Sequence, residues 1–418
     1  MFRKAGSKQR VIAHVDMDCF YVQVEAGLDP SLRGVPCAVV QYNPFGELKS
    51  YHHTENRKNI SQSGGIIAVN YEARALGVKR HTRGHEASKT CPSIQLVQVP
   101  TTHGKADITV YRKAGEEVVR VLSSLFSCPV EKASIDEVYL DLTDECHRRL
   151  RDDDYLSRTV PLAAGSAVLL SSGTLSGKSA GDNGCVAEDM GGSAGWMAAG
   201  LSEDDQLLVC GAAAAQELRA EVLKQLGYTC SAGVAHNKML AKIASSSHKP
   251  NKQAIIPSES VAFMLNALPI EKIPGYGGKL GETVKTAMGI NTVGELQSDP
   301  DGLAKLVARF GAGQGQDIWR TLSGIDDNIV KARSAQSIIS CGKQFPEKLA
   351  LSGVAAWKPA GDVEVWVHNL CSELTERLTD DQGMHNRAPK MFGVSAQFKL
   401  LKLAGGGEAK GMSESCPM

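Results

Sequence analysis

Residues 11–21 read VIAHVDMDCFY, and residues 133–142 read ASIDEVYLDL. The first stretch is an apolar strand, Val11 to Val15, that runs into Asp16-Met17-Asp18. It continues into a helix predicted over Phe20 to Leu28, ended by Asp29-Pro30. In the second stretch Val138, Leu140 and Leu142 alternate with Tyr139 and Asp141, the period of two that marks a strand. Together with Val130 to Ile135 it predicts a hairpin. A carboxylate at the end of a buried strand is costly unless it is paired or bound to a cation. Asp16 holds that position, and Asp136 and Glu137 lie between the two hairpin strands, where a turn lets both face one site. Three carboxylates from adjacent strands form the oxygen-rich setting that Mg²⁺ prefers. Two such ions, about 3.5–4 Å apart, activate a hydroxyl and stabilise a leaving phosphate oxygen. On spacing alone a second reading stands beside this one, in which Asp16 and Asp136 cap turns and Glu137 is solvated.

Composition bounds the rest. A chain of 418 residues is long enough for two to four domains, and 42% hydrophobic with 22% charged residues is an ordinary globular balance. That excludes a wholly disordered, collagen-like or coiled-coil chain. The formal net charge is zero, so a uniformly basic nucleic-acid coat is excluded while a local basic groove is not. Such a local excess exists, since Gly227 to Lys285 carries seven Lys against three Glu. Eleven scattered cysteines include no CxxC pair, which argues for reduced thiols in a cytosolic or nuclear setting and against a zinc site. No run reaches the length of a membrane span, and no signal peptide is evident, so no membrane partner is expected.

Further along, Cys37 to Tyr42 and Ile66 to Val69 read as buried strands, with a polar loop from Asn43 to Ser63 between them and a helix from Tyr71. Ala106 to Leu125 has helical periodicity. Of the 36 residues from Gly165 to Gly200, 21 are Gly, Ser or Ala, too little apolar surface to offset ordering, so an exposed insertion is expected there. A helix over about Gly211 to Leu226, a strand Cys230 to Val234 and a basic helix follow. His81 and His85 read as a solvated helix face, His52-His53 as loop residues, and Trp357 and Trp366 as packing for a small C-terminal core.

The string Val15-Asp16-Met17-Asp18-Cys19-Phe20-Tyr21 resembles the first palm motif of the Y-family DNA polymerases, and Ala133 to Asp141 resembles their second. Cys37 to Tyr42, Ile66 to Arg80 and Cys230 to Lys242 resemble further blocks of that family, in family order, and point to its eta branch. The resemblance covers most of residues 10 to 400 outside two insertions. It implies that Asp16, Asp136 and Glu137, with the Met17 carbonyl, bind two Mg²⁺ ions at the catalytic centre, Mn²⁺ being a substitute, and that Asp18 is not a ligand. It makes Tyr21 the steric gate against a ribose 2′-OH, the bland reading being a core aromatic. Tyr71, Arg74 and Lys249 then grip the incoming triphosphate, a task suited to guanidinium forks and ammonium charges. Gln41 and Arg80 cover the nascent base pair and template. Ile273 to Gly281 resembles a helix-hairpin-helix turn, in which Gly275, Gly277, Gly278 and Lys279 approach a DNA phosphate.

The fold the resemblance implies is α/β (α+β), a right-hand polymerase with a ferredoxin-like palm, small fingers, a helical thumb and a partial little finger. The expected boundaries are palm 1–19, fingers 20–106 with an insertion near 47–62, palm again 107–256 with a low-complexity insertion near 150–205, thumb 257–325 and little finger 326–418. Within the last, Ser337 to Phe345 is expected as a strand, Val363 to Leu378 as a helix and Met391 to Lys399 as a strand, followed by a polar tail, so that the unit looks incomplete. The expected activity is templated, two-metal nucleotidyl transfer past ultraviolet lesions in the nucleus, on primer-template DNA and deoxynucleoside triphosphates. Sliding-clamp and ubiquitin-binding motifs are not visible. His81-Thr82-Arg83-Gly84 departs from the family pattern beside the template contact. The rivals are another branch of the family, another palm enzyme such as a nucleotidyl cyclase, and a DNA-binding protein with little or no activity.

Overall fold

The structure, a computed structural model, describes residues 9–43, 50–60, 62–152, 154–156, 166–169, 201–333, 337–343, 359–399 and 409–417. They fall into two compact units, the second comprising residue 50, residues 101–105 and the described residues from 337 onward. The first unit is mixed α/β. It runs β1 (Ile12–Met17), α1 (Phe20–Leu28), β2 (Cys37–Val40), β3 (Ile66–Val69), α2 (Tyr71–Ala75), α3 (Gly84–Thr90) and β4 (Gln95–Gln98). Then come α4 (Thr109–Leu125), β5 (Val130–Lys132), β6 (Glu137–Asp141), α5 (Thr143–Arg149), β7 (Ala167–Val168), α6 (Glu203–Leu226), β8 (Cys230–Ala235), α7 (Lys238–Ser247) and β9 (Gln253–Ile255). Five helices close it: α8 (Val261–Asn266), α9 (Lys279–Met288), α10 (Val293–Gln297), α11 (Gly302–Phe310) and α12 (Ala312–Leu322).

Six strands form one sheet in the order β5-β6-β1-β8-β9-β7. Neighbours from β5 to β8 are antiparallel, and β8-β9 and β9-β7 are parallel. The two faces sort by the period of two. Val11, Ala13, Val15 and Met17 join Val138, Leu140, Ala232 and Val234 in a core with α4 and α6, whereas Ile12 and Tyr139 belong to a second core with α7 and the closing helices. Burying each large apolar side chain contributes roughly 1.5–3 kcal/mol, while an exposed ion pair contributes at most about 1 kcal/mol. The apolar set therefore fixes the register, and a slip of one residue would turn Asp16 into the α4–α6 core. A smaller sheet, β3-β2-β4, has its own buried cluster around Ala38, Val40, Ile66 and Leu96.

Local signals explain most element ends. α2 starts where the Asn70 side chain accepts from Ala73 N at 3.0 Å. α6 begins at Glu203, eight residues before the expected Gly211, because Ser202 caps it, its hydroxyl accepting from Asp205 N, and three acidic residues fill its first turn. The expected exposed insertion is corrected at its start: Ser166, Val168 and Leu169 are buried, and β7 pairs with β9 at the sheet edge. Leu150, Tyr155, Leu156 and Leu201 pack on the α4–α6 core. His81 and His85 are both exposed, but only His85 is on a helix; His81 lies in a turn at φ 74°, tied to β3 through His81 N to Ile66 O at 3.0 Å.

In the second unit the expected helix is longer, α13 (Pro359–His385), and the expected strand is β10 (Met391–Lys399). Two expectations are corrected. Residues 337–343 carry no strand; Cys341 Sγ instead donates to Leu370 O and Arg377 donates to Ser340 O, so α13 satisfies this segment. The polar tail contains β11 (Ala409–Pro417), which pairs antiparallel with the whole of β10. Phe345 and Trp357 lie outside the described residues. Trp366 is half-buried, with Lys343 Nζ 4.4 Å from its ring centroid.

Candidate active site

Asp16 and Glu137 are direct cross-strand partners in the β1–β6 ladder, so their side chains share the face that carries Ile12, His14 and Tyr139. Asp136 sits at the bend before β6. Its carbonyl accepts from Met17 N at 3.0 Å, and its carboxylate accepts from Ser134 Oγ at 2.6 Å. The turn and ladder thus bring the three expected carboxylates to one end of two adjacent strands.

Helix α7 lies over this face. It comes close because β8 carries Gly233, where a Cβ would stand 2.1 Å from Ala241 O. Lys238 and Lys242, one turn apart, reach down from it. Lys238 Nζ meets the Glu131 carboxylate at 2.8 and 2.9 Å, and Lys242 Nζ meets Glu137 at 2.7 and 2.9 Å. Lys249, just after the helix, completes a row of three acid–lysine pairs with Nζ 2.5 Å from Asp16 Oδ1. Burial still pushes the Asp16 carboxyl up to about 6; Lys249 pulls against it, and Glu137 and Asp136 push with it. His14, fully buried below this row, has its imidazole held well below its ordinary value by burial and by the lysines.

Among the described residues no three His, Cys, Asp or Glu side chains are gathered as a metal ion needs. The chemistry of the donors nevertheless fits a hard cation: three carboxylates and backbone carbonyls offer only oxygen, on a face where negative charge is already balanced by ammonium groups. Occupation would require Asp16 and Glu137 to turn from Lys249 and Lys242.

Asp18 does not join them. It is buried, and its carboxylate accepts from Ser231 Oγ at 2.8 Å and from Asn251 N at 2.8 Å. Arg219 donates to Asn251 Oδ1 at 2.7 Å and to Cys230 O at 2.8 Å, so a buried polar cluster fixes the turn that presents Lys249. The sequence reading missed this role, as it missed Lys242 and Ser134. The one available signal was an acid in a buried setting with no apolar partner.

Tyr21 lies in the first turn of α1, its ring 4.1 Å from that of Tyr111 on α4. Burial raises its hydroxyl pKa, Asp136 adds to this, and Arg80 and Arg112 oppose it, so Tyr21 lies within electrostatic reach of Asp136 and of Arg80. Arg74 Cζ sits 4.7 Å from the Tyr71 ring centroid, and Arg74 Nε donates to Val69 O at 3.0 Å. The Tyr71 hydroxyl is raised by burial and then by Asp18, with Asp16 contributing. The Cys19 thiol is pushed up to about 12 by burial and Asp18, with Arg74 and Lys249 opposing. Tyr71 lies beside the N-terminus of α1, and Arg74 and Lys249 are within electrostatic reach of Cys19 there. A cavity of about 430 Å³ opens there, lined among others by Cys19, Gln23, Tyr71 and Asn251. Unpaired amides of a first helical turn attract anions, and no side chain caps the start of α1.

Gln41 follows β2, with its N donating to Gly65 O at 2.9 Å, and Arg80 is exposed. In the glycine turn, Gly275 adopts φ 89°, and Gly275, Gly277, Gly278 and Lys279 are exposed around the buried Tyr276. Gly278 precedes α9 without a side-chain cap, and the Lys279 side chain is exposed.

Residues 15–246 match the impB/mucB/samB family, and residues 268–325 match the DNApol eta/Rev1 HhH motif. The chain is 42% identical over 421 residues to DNA polymerase eta of Arabidopsis thaliana, covering all of this chain and 57% of that protein. It is 37% identical over 393 residues to DNA polymerase eta of Drosophila melanogaster, covering 91% of this chain and 41% of that one. It is 31% identical over 342 residues to DNA polymerase IV of Ectopseudomonas mendocina, covering 82% of this chain and 72% of the relative. The chain spans about half the length of the two eta relatives.

Proposed function

The chain belongs to the impB/mucB/samB family, the Y-family DNA polymerases, and from that premise we propose that it is a DNA-directed DNA polymerase of the eta type, copying past ultraviolet lesions such as thymine dimers. The observation that carries the reading is the pairing of Asp16 with Glu137 across β1 and β6, with Asp136 at the adjoining bend. In this reading the six-stranded sheet with its helices is the palm, β2–β4 with α1 to α3 the fingers, α8 to α12 the thumb, and α13 with β10 and β11 belongs to the little finger.

Asp16, Asp136, Glu137 and the Met17 carbonyl would hold two divalent cations, Mg²⁺ or Mn²⁺. Such ions, when bound, lower the pKa of an attacking hydroxyl and neutralise charge on a leaving phosphate. The side chains do the rest by position and charge. Tyr71, Arg74, Lys249 and the first-turn amides of α1 bind and orient a deoxynucleoside triphosphate. Tyr21 excludes a 2′-OH. Gln41 and Arg80 cover the base pair and template, and the Gly275–Lys279 turn fastens a DNA phosphate. The α-phosphate then faces a primer 3′-OH, and the new phosphodiester bond forms as pyrophosphate leaves. Holding both reactants in line is worth about 7–11 kcal/mol of barrier in well-oriented systems, so positioning supplies much of the rate. No helix among the described residues is long and apolar enough to cross a membrane, and the nucleus is the proposed compartment.

The deciding experiment is primer extension with and without template, opposite a cis-syn thymine dimer and opposite two undamaged thymines. Insertion of two adenines across the dimer, at a rate within about tenfold of the undamaged template, is expected. A full stop at the first dimer base with normal synthesis elsewhere would move the chain to another branch of the family. Nucleotide turnover that ignores template would remove the polymerase reading.

A further inference from the structure

Tyr21 and Glu25 stand one turn apart on α1, and Glu25 is 2% exposed. Its carboxylate is held by Arg57, itself 3% exposed, through a two-armed contact of 3.1 Å (Nη1 to Oε1) and 2.7 Å (Nη2 to Oε2). The hydroxyl of the fully buried Tyr111 donates to Glu25 Oε1, and the ring of Tyr111 lies on that of Tyr21 at 4.1 Å with 38° between planes. Arg57 also donates to Gln98 O and, at 3.3 Å, to His53 O. Four residues on three elements thus form a chain: Arg57 to Glu25, Glu25 to Tyr111, Tyr111 to Tyr21.

Arg57 belongs to the segment read from sequence as a polar insertion. Part of it is fastened to β4. Gln98 N donates to Arg57 O at 3.0 Å, Asn59 N donates to Leu96 O at 2.6 Å, and Lys58 bridges Val97. Lys58 Nζ adds a contact of 2.9 Å to Asp29, just past α1. A buried guanidinium–carboxylate pair is weak evidence for stability, since desolvation consumes much of its Coulomb energy; its use is to select one geometry. Here the geometry selected is that of the Tyr111 ring behind Tyr21.

We propose that Arg57 and Glu25 are positioning residues for sugar selection: the 50–60 segment, through them, locks Tyr111 against Tyr21 and so sets where the gate stands. The inference rests on Tyr21 being the gate. A gate discriminates by contact distance, and misplacement by about 1 Å costs up to about 100-fold in well-fitted sites. Loosening it should therefore relax rejection of ribonucleotides more than it slows use of deoxyribonucleotides.

The test is the ratio of kcat/KM for ribo- over deoxyribonucleoside triphosphate on undamaged primer-template, measured for the full chain. Arg57→Ala should raise it about fivefold or more, Tyr111→Phe about threefold, and Arg57→Lys should fall between wild type and Arg57→Ala because an ammonium lacks the second arm. In a Tyr21→Ala background Arg57→Ala should change it less than about twofold, as expected of residues acting through one another. Loss of fold lowers both activities together and leaves the ratio in place, so the ratio separates positioning from stability. Tyr111→Phe removes one hydroxyl and no charge, and carries the decision if Arg57→Ala does not fold. If Tyr21→Ala leaves the ratio unchanged, the gate reading itself fails. If Tyr21→Ala raises it while Tyr111→Phe and a folded Arg57→Ala do not, the gate stands and this inference is overturned.

Discussion

Lys249 Nζ lies 2.5 Å from Asp16 Oδ1, with both side chains more than four-fifths buried. A lysine proposed to grip a triphosphate is therefore also the counter-charge of a proposed metal ligand. The two roles follow from one electrostatic need, because a buried carboxylate keeps a cation beside it and a lysine released from that carboxylate is free for phosphate. Lys249→Ala should raise KM for the nucleotide by about tenfold or more while kcat falls less, since ground-state grip is what is lost. Steady-state incorporation against nucleotide concentration measures it. An unchanged KM would leave Lys249 as the partner of Asp16 alone.

The three lysines of this face meet Glu131, Glu137 and Asp16 and none meets Asp136, whose carboxylate accepts from Ser134 Oγ. Its removal should therefore disturb the charge balance least and the chemistry most. Asp136→Ala is expected to lower incorporation by about 1,000-fold or more, with primer-template affinity within about threefold of the parent. Single-turnover extension and fluorescence anisotropy read the two quantities. Substantial Mg²⁺-dependent synthesis by Asp136→Ala would remove the metal reading.

Glu131 offers a test of the same acid–lysine row by stability. Burial alone would raise its carboxyl, but the Lys238 ammonium and the Lys331 amide, which donates at 2.8 Å, outweigh burial and hold it below the ordinary range. A folded-state pKa below the unfolded value means that the unfolded chain binds more protons on acidification. The stabilisation is then present above the unfolded pKa of about 4.3 and is lost as pH falls through the folded value. Glu131→Gln should cost about 1–3 kcal/mol near neutral pH, with the gap closing below about pH 4. Urea unfolding of both proteins across that range checks it; a gap that stays constant would show that the charge is not responsible.

What the sequence disclosed and what it hid divide along the range of the interactions. The run VIAHVDMDCFY names its own strand and helix, since apolar alternation and the carboxylates that interrupt it are local. The helix Phe20–Leu28 and the strands Ile66–Val69 and Met391–Lys399 appear in the structure with the expected limits. Arg57 was illegible, because a charged residue in a polar loop looks solvated until Glu25, 32 residues away, is placed against it. Asp18 was equally hidden, its partners being Ser231 and Asn251. The strand Ala409–Pro417 has no apolar alternation, and its pairing is set by the backbone of β10. The three carboxylates were legible as a group, but the lysine that meets Glu137 was not, since Lys242 read only as part of a basic helix surface.

The glycine turn before α9 makes the last prediction. Gly275 needs its φ of 89°, which an L side chain rarely adopts, and the exposed Gly277 and Gly278 lead into the start of α9, which no side chain caps, beside the exposed Lys279. An anion there meets a helix N-terminus and an ammonium, with no base edge to read, so the contact should add affinity without sequence preference. Each phosphate neutralised by a protein cation releases condensed counterion and contributes about 0.9 to the slope of log K against log salt. Lys279→Ala should accordingly weaken primer-template binding several-fold at low salt and make that slope shallower by about 1, equally for different sequences. Gly275→Ala should reduce affinity through strain in the turn, with the Lys279 charge still present and a smaller change in slope. Anisotropy titrations over a salt series distinguish the two. If Lys279→Ala leaves both affinity and slope unchanged, the turn does not hold DNA, and its glycines serve only to join the preceding segment to α9.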